Sequence, residues 1–317
     1  MSLVTVEEIR RAADRVRGVA LRTPVVSYTG PRVDGLLLKA ESLQPTGAFK
    51  VRGASNALAC LDAEQRARGV VTHSSGNHAQ ALAYAAHRLG VRAVTVMPHD
   101  VSPVKREATE RWGAEIVLVE PAEREAATDE LVEKHGYVPV PPYDHRDVIA
   151  GQGTVGLEIV EDVPDVDLVL VPVSGGGLVS GIAAAVKALR PSARVVGVEP
   201  ELAADAQASV WAGELVGWSV AETNRTVADG LRVPRLGDLT WAHIKAYVED
   251  VVTVSEDDIR QAVRDLATGA RLVAEPSGAT APAAAFAKLA GSGAPGRTVA
   301  VVSGGVVDPG AYAGMLA

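Results

Sequence analysis

The feature that most constrains this chain is a recurring pair: a short run rich in β-branched residues, followed by an Ala-rich segment of helical pattern. The runs are 35–41, 69–73, 93–98, 114–120, 166–173, 194–199, 251–254 and 298–302. Strands that alternate with helices build parallel α/β sheets. Two runs, 167–173 and 298–302, are apolar without alternation. Strands covered by helices on both faces read this way, so both are expected inside a sheet. Ligands of such sheets bind beyond the carboxyl ends of the strands. The residues that follow each run are therefore where function is to be sought.

Composition narrows the partners. The chain has 317 residues, 47% of them hydrophobic, which excludes disorder and is enough for two domains. Its net charge of -8 gives no attraction toward phosphate backbones or anionic lipid, so neither nucleic acid nor a membrane surface is expected as a partner. No apolar run approaches the roughly 18 residues of a membrane helix. Residues 1–11 carry charges where a signal peptide needs an apolar core. The single cysteine, Cys60, has no partner for an internal disulfide and is expected as a buried apolar side chain, consistent with a cytoplasmic location.

Two glycine-rich segments compete as cofactor loops. Residues 151–156, GQGTVG, satisfy the dinucleotide pattern G-x-G-x-x-G. That fingerprint needs a strand immediately before it, whereas residues 146–150 read as a loop entering a helix that continues through Ile159. Close helix packing explains these glycines better. Ser174-Gly175-Gly176-Gly177-Leu178 instead follows the strongest strand and precedes the helical stretch 179–189. Glycines there let consecutive backbone N–H groups converge on one anion at a helix N-terminus. Ser303-Gly304-Gly305 ends the last strand and brings a hydroxyl to the same sheet edge.

Two further segments carry polar chemistry. The loop 42–53, SLQPTGAFKVRG, carries Lys50 at the opening of a helix; taken alone, a lysine there is more often a solvated surface charge than a functional one. The segment 73–80 contains Ser74-Ser75-Gly76-Asn77-His78 between a strand and a helix. Its free backbone donors suit a carboxylate, although Ser74 or Ser75 would also serve as an ordinary helix cap. The Pro-rich stretch 138–143 interrupts helix and ladder alike and marks a domain crossing.

Taken together and in this order, SLQPTGAFKxRG, SSGNH, SGGGL and SGG resemble the serine/threonine dehydratase and serine racemase family of pyridoxal-phosphate enzymes, over nearly the whole chain. The resemblance implies the tryptophan synthase β-like fold, two parallel-sheet α/β domains with the cofactor in the cleft between them. The large domain would comprise residues 1–60 and 148–317, and the small one 61–147. It also implies that Lys50 is the Schiff-base lysine, Phe49 its neighbour against the cofactor, and Asn77 the partner of the ring hydroxyl. Ser174, Gly175, Gly176, Gly177 and Leu178 would hold the phosphate of pyridoxal 5'-phosphate, and Ser303 the pyridine nitrogen. Ser74, Ser75, Gly76, Asn77 and His78 would hold the carboxylate of a small amino-acid substrate.

In racemase-like members the equivalents of Glu199, the Ala203 carbonyl and Asp205 bind a divalent cation, and oxygen ligands suit Mg2+ or Ca2+. Ser174 stands where many relatives have glycine, and Val306 where many have asparagine. Ser75 matches the serine that racemases use as acid and base on the cofactor face opposite the lysine. The activity implied is dehydration of L-serine, L-threonine or a related β-hydroxy amino acid to a 2-oxo acid and ammonia. Serine racemisation, alone or beside dehydration, is the alternative, and 3-hydroxyaspartate dehydration a further one. The expected assembly is a homodimer or higher homo-oligomer.

Overall fold

Strands form where the sequence concentrates β-branched residues, and they sort into two sheets. The computed structural model describes residues 2–74, 76–99, 101, 103–288 and 296–317. In chain order the strands are β1 (Val25–Ser27), β2 (Leu37–Ala40), β3 (Val70–His73), β4 (Ala93–Pro98), β5 (Glu115–Val119), β6 (Val138–Pro139), β7 (Val166–Pro172), β8 (Arg194–Pro200), β9 (Asp250–Val254) and β10 (Arg297–Val302). Between and around them run α1 (Val6–Val16), α2 (Lys50–Cys60), α3 (Ala63–Arg68), α4 (Asn77–Leu89), α5 (Pro103–Glu110), α6 (Arg124–His135) and α7 (Arg146–Asp162). The second half adds α8 (Gly177–Leu189), α9 (Asp205–Ala212), α10 (Val220–Thr223), α11 (Asp238–Tyr247), α12 (Glu256–Gly269), α13 (Pro276–Lys288) and α14 (Pro309–Leu316).

One sheet has the order β1-β2-β10-β7-β8-β9 and the other β5-β4-β3-β6. All pairs are parallel except β1 with β2. The antiparallel edge strand β1 was not legible in the sequence, because three residues carry no period. The order of strands creates a switch point in each sheet. From β7 the chain steps outward to β8 and β9, then returns to place β10 on the other side of β7. From β3 it steps to β4 and β5, then returns to place β6 on the other side of β3. Crevices open at the carboxyl ends of strands on either side of such a switch. The loops after β10 and β7 share one crevice, and those after β3 and β6 share the other.

The apolar runs are central as expected. In β10, residues 298–302 are all buried, packed between α12 and α13 on one face and α7 and α8 on the other. The Pro-rich stretch contains the short strand β6, in which Pro139 sits between the donors Val138 and Val140 on an edge strand. There the missing amide costs no ladder bond. Residues 146–150 are not a loop: α7 starts at Arg146, capped by His145.

The GQGTVG segment lies inside α7, where it makes helix contacts. A Cβ at Gly153 would lie 2.7 Å from Ile9, at Gly156 2.8 Å from the Ile182 carbonyl, and at Gly151 2.6 Å from the Arg52 carbonyl. Small residues let α1, α2 and α8 close onto α7. Cys60 is only half-buried, at the end of α2, a departure from the expected core position. Burial still raises its thiol to about 11.

The start of α2 is held from behind by a buried ionic cluster. Arg52 donates to both oxygens of Glu41 at 2.8 Å, to Glu158 at 2.7 and 2.8 Å, to Thr154 at 3.1 Å and to the Leu21 carbonyl at 3.1 Å. Lys39 donates to Glu158 and to the Thr23 carbonyl, both at 2.6 Å. Two cations and two carboxylates thus balance in a site where Arg52, Lys39 and Glu41 are at most 1% exposed. Such a cluster survives burial only because every charge is paired and hydrogen-bonded.

Candidate active site

The lysine loop is stitched to the loop after β10. Phe49 N–H donates to the Ser303 carbonyl at 3.0 Å, and Gly305 N–H to the Gly47 carbonyl at 2.8 Å. Gly47 has φ +72°, a conformation that favours glycine. These bonds bring Lys50, the first residue of α2, to the carboxyl end of the sheet beside the buried Ser303. Lys50 Nζ donates to the Pro142 carbonyl at 2.7 Å and lies 5.0 Å from the centroid of the Phe49 ring. Burial lowers its amine to about 8.

After β7, Gly176 adopts φ +90° and caps α8 with no side-chain bond. The first N–H groups of α8 therefore have no capping side chain, the arrangement that binds a phosphate. A Cβ at Gly175 would lie 2.5 Å from the Tyr143 ring, and one at Gly177 would lie 3.0 Å from Tyr143 Cα, so the loop's glycines let Tyr143 pack directly against it. Behind the loop, Thr240 Oγ1 donates to the Gly175 carbonyl at 2.7 Å. Asp144 accepts the first N–H groups of α11, from Asp238, Leu239 and Thr240, at 3.0–3.1 Å. The N-terminus of α11 is thus satisfied within the protein, whereas that of α8 has no such side chain. Ser174 Oγ accepts from Val233 N–H at 3.3 Å, and Leu178 is buried in the first turn of α8.

After β3, helix α4 starts at Asn77 with Gly76 as its uncapped N-cap. Ser74 is not the cap; its Oγ accepts from Gly76 N–H at 3.4 Å. Ser75, the residue singled out as a possible second-face acid, lies outside the described residues. Asn77 Nδ2 donates to Glu275 Oε1 at 2.6 Å. His78 Nε2 is 2.9 Å from the Val140 carbonyl, which can only accept, so the proton sits on Nε2. Burial, and then the charge of Lys50, lowers His78 to about 3. The neutral ring keeps Nδ1 as an acceptor only. A carboxylate at this loop would therefore be held by backbone N–H groups, with His78 bracing the segment after β6.

Contacts that join the two crevices among the described residues include Lys50 with Pro142, Tyr143 with Gly175 and Gly177, and Asn77 with Glu275. Pro142, Tyr143 and Glu275 were not singled out from the sequence. Pro142 acts through its carbonyl and Tyr143 through the face of its ring, neither of which leaves a motif. Glu275 opens α13 far along the chain; its only sequence signal is an acid beside Pro276 at a helix start.

Glu199 is the penultimate residue of β8, the neighbour of β7. Its oxygens accept the N–H groups of Ala206 and Gln207 at 3.1 and 2.9 Å. Asp205 is 1% exposed and neither of its oxygens has a partner. Burial raises Asp205 to about 7, and burial followed by the Asp205 charge raises Glu199 well above the carboxylate range. Ala203 is buried between them in sequence. Two adjacent buried carboxylates that no Lys, Arg or His side chain among the described residues pairs with have the chemistry of a hard-cation site. Among the described residues no group of three or more His, Cys, Asp or Glu side chains is placed to hold a metal, so any such site also draws on backbone oxygen or water.

A family model described as pyridoxal-phosphate dependent enzyme matches residues 16–304. L-threonine ammonia-lyase of Thermotoga maritima is 42% identical over 311 residues, covering 96% of this chain and 76% of the relative. Serine racemase of Oryza sativa is 40% identical over 316 residues, covering 96% and 91%. The solved structure of maize serine racemase superposes with a TM-score of 0.91 at 38% identity, covering 99% of this chain and 97% of that one.

Proposed function

Because the chain belongs to the family of pyridoxal-phosphate dependent enzymes, we propose that it is a dehydratase that takes water and then ammonia from a small β-hydroxy amino acid, L-serine or L-threonine, to leave a 2-oxo acid. The observation that carries this reading is the Lys50 amine: lowered to about 8 by burial and aimed at the Pro142 carbonyl, it stands at the meeting of the two crevices. Relatives that match nearly the whole chain bear ammonia-lyase and racemase names, which supports the substrate class.

The residues fit the cofactor. The uncapped α8 terminus behind Ser174–Leu178 supplies N–H donors for its phosphate, Ser303 is at the edge that would meet the ring nitrogen, and Asn77 would meet the ring hydroxyl. When bound, pyridoxal phosphate supplies an aldehyde that takes amines covalently and a ring that withdraws electrons from the adjacent carbon. Lys50 is the residue that would hold the cofactor through its amine, and that amine, when neutral and free, would take the proton from the substrate Cα. Phe49 walls the lysine. Backbone N–H groups at Gly76–His78 hold the substrate carboxylate. A neutral hydroxyl at Ser303, unlike a carboxylate, does not stabilise a positive charge on the ring nitrogen. That favours departure of the β-hydroxyl over a long wait for reprotonation.

The same reading divides the chain into a large domain, 1–60 with 148–317, and a small one, 61–147, closing on substrate to exclude water. It places a Mg2+ or Ca2+ ion between Glu199, the Ala203 carbonyl and Asp205, supported by the partnerless Asp205 oxygens. The protein would act in the cytoplasm as a homodimer or higher homo-oligomer, with no nucleic-acid or membrane partner. No helix among the described residues is long and apolar enough to cross a membrane. Exposed Leu43 and Val273 offer apolar surface to a second copy. Racemisation is the second reading, favoured by the likeness to serine racemases and by Ser75. A panel of L-serine, L-threonine and 3-hydroxyaspartate, scored for ammonia, 2-oxo acid and D-enantiomer, tests the proposal. Ammonia and oxo acid in equal amounts support it, and turnover of none of the three removes it.

A further inference from the structure

Glu275 is a buried carboxyl that the reaction just described does not use. It is 4% exposed, at the entry to α13. Its N–H donates to the Gly304 carbonyl at 3.1 Å, and its Oε1 packs so closely on Gly304 that a Cβ there would collide with it. The other neighbour of Oε1 is the Asn77 amide at 2.6 Å. Glu275 therefore fills the gap between the loop after β10 and the first turn of α4, which come from different sheets.

We propose that Glu275 is a positioning residue that locks the Asn77 amide across the cleft and sets what that amide offers to a bound ligand. An asparagine amide is free to flip, and only its partners decide whether oxygen or nitrogen faces the site. An ionised Glu275 accepts only and keeps Nδ2 engaged. A protonated one can donate to the amide oxygen and release both N–H groups toward an anionic ligand oxygen. The inference rests on the cofactor reading through Asn77, but the carboxyl's own behaviour does not.

Among the described residues the charged groups that act on Glu275 are Asp229, on the turn 229–231, and Lys105, on α5, which are ion-paired to each other. Burial, then the like charge of Asp229, raises Glu275 to about 8, against smaller opposing effects of Asn77 and Lys105. Both states are thus accessible near neutral pH. Because the folded chain holds a proton that the unfolded chain releases above its ordinary value of 4.5, this group's contribution to stability falls as pH rises from there to about 8.

The test uses Glu275→Gln, Glu275→Ala, Asp229→Asn and Lys105→Met. In the cofactor-free protein, melting temperature should fall further between pH 6 and pH 9 in wild type than in Glu275→Gln. With pyridoxal phosphate bound, its absorbance should change with a midpoint near 8 in wild type, a change that Glu275→Gln removes while keeping affinity. Glu275→Ala should bind the cofactor about tenfold more weakly. Asp229→Asn should move the midpoint down and Lys105→Met should move it up. Equal pH dependence of melting in wild type and Glu275→Gln, or an absorbance midpoint that ignores all four substitutions, overturns the inference. A wild type that shows no bound-cofactor absorbance at all overturns the cofactor reading and, with it, the role given to Asn77, even where the melting result stands.

Discussion

Lys50 Nζ lies 2.7 Å from the Pro142 carbonyl, so the amine at the start of α2 is held by the segment that follows β6 in the other sheet. Among the described residues no carboxylate pairs with this lysine, and burial lowers its basicity.

Capture of pyridoxal phosphate by cofactor-free protein should accelerate as pH rises through about 8, because a protonated amine cannot attack an aldehyde and burial has lowered Lys50 to that value. An ordinary surface lysine would show the rise near 10.4. Lys50→Ala should lose covalent capture, read by borohydride reduction and peptide mapping, and should lose turnover with it. Retention of both would assign the chemistry elsewhere.

Gly175→Ala places a methyl group 2.5 Å from the Tyr143 ring. Overpacking of this kind costs about 1–3 kcal/mol, and the cradle it distorts should release the cofactor about tenfold more readily. Tyr143→Ala in the same molecule should recover part of the loss. Denaturant unfolding and fluorescence titration with pyridoxal phosphate measure the two effects, and additive losses in the double variant would separate Tyr143 from the loop.

Magnesium or calcium should raise the melting temperature of wild type after chelation, since an ion that binds the folded state stabilises it. Asp205→Asn should abolish the response and should itself be more stable than wild type in chelator, having lost a buried charge with no partner. Identical ion responses in the two proteins would leave Glu199 and Asp205 as helix-capping acids.

Arg52→Met should cost about 3–5 kcal/mol, because it leaves Glu41 and Glu158 buried without their shared cation. Adding Glu158→Gln should recover part of this, and Glu158→Gln alone should cost less. Urea unfolding of the three proteins decides it; a loss within 0.5 kcal/mol for Arg52→Met would mean that water reaches the cluster.

Ser75→Ala separates lyase from isomerase. Lys50 serves one face of a planar carbon, and formation of a D-amino acid needs a donor on the other. If the wild type forms D-serine, the alanine should suppress that reaction far more than dehydration of L-serine or L-threonine. Dehydration is expected to dominate in wild type, and D-serine accumulating faster than pyruvate would place the isomerase reading first.

The sequence by itself determined the local parts. Apolar runs without alternation marked β7 and β10 as central strands, and glycines after a strand marked the uncapped start of α8 that is proposed as the phosphate cradle, because those signals depend on neighbours in the chain. It also placed the GQGTVG glycines in helix packing, since no strand precedes them. Tertiary structure decided what those parts face. Whether β1 runs antiparallel, whether Cys60 is covered, and which atoms surround Lys50 depend on residues brought together from distant positions. Pro142, Tyr143 and Glu275 stand 92, 32 and 198 residues from the partners Lys50, Gly175 and Asn77. They act through a carbonyl, a ring face and a buried carboxyl, whose chemistry comes from position and desolvation rather than from residue type.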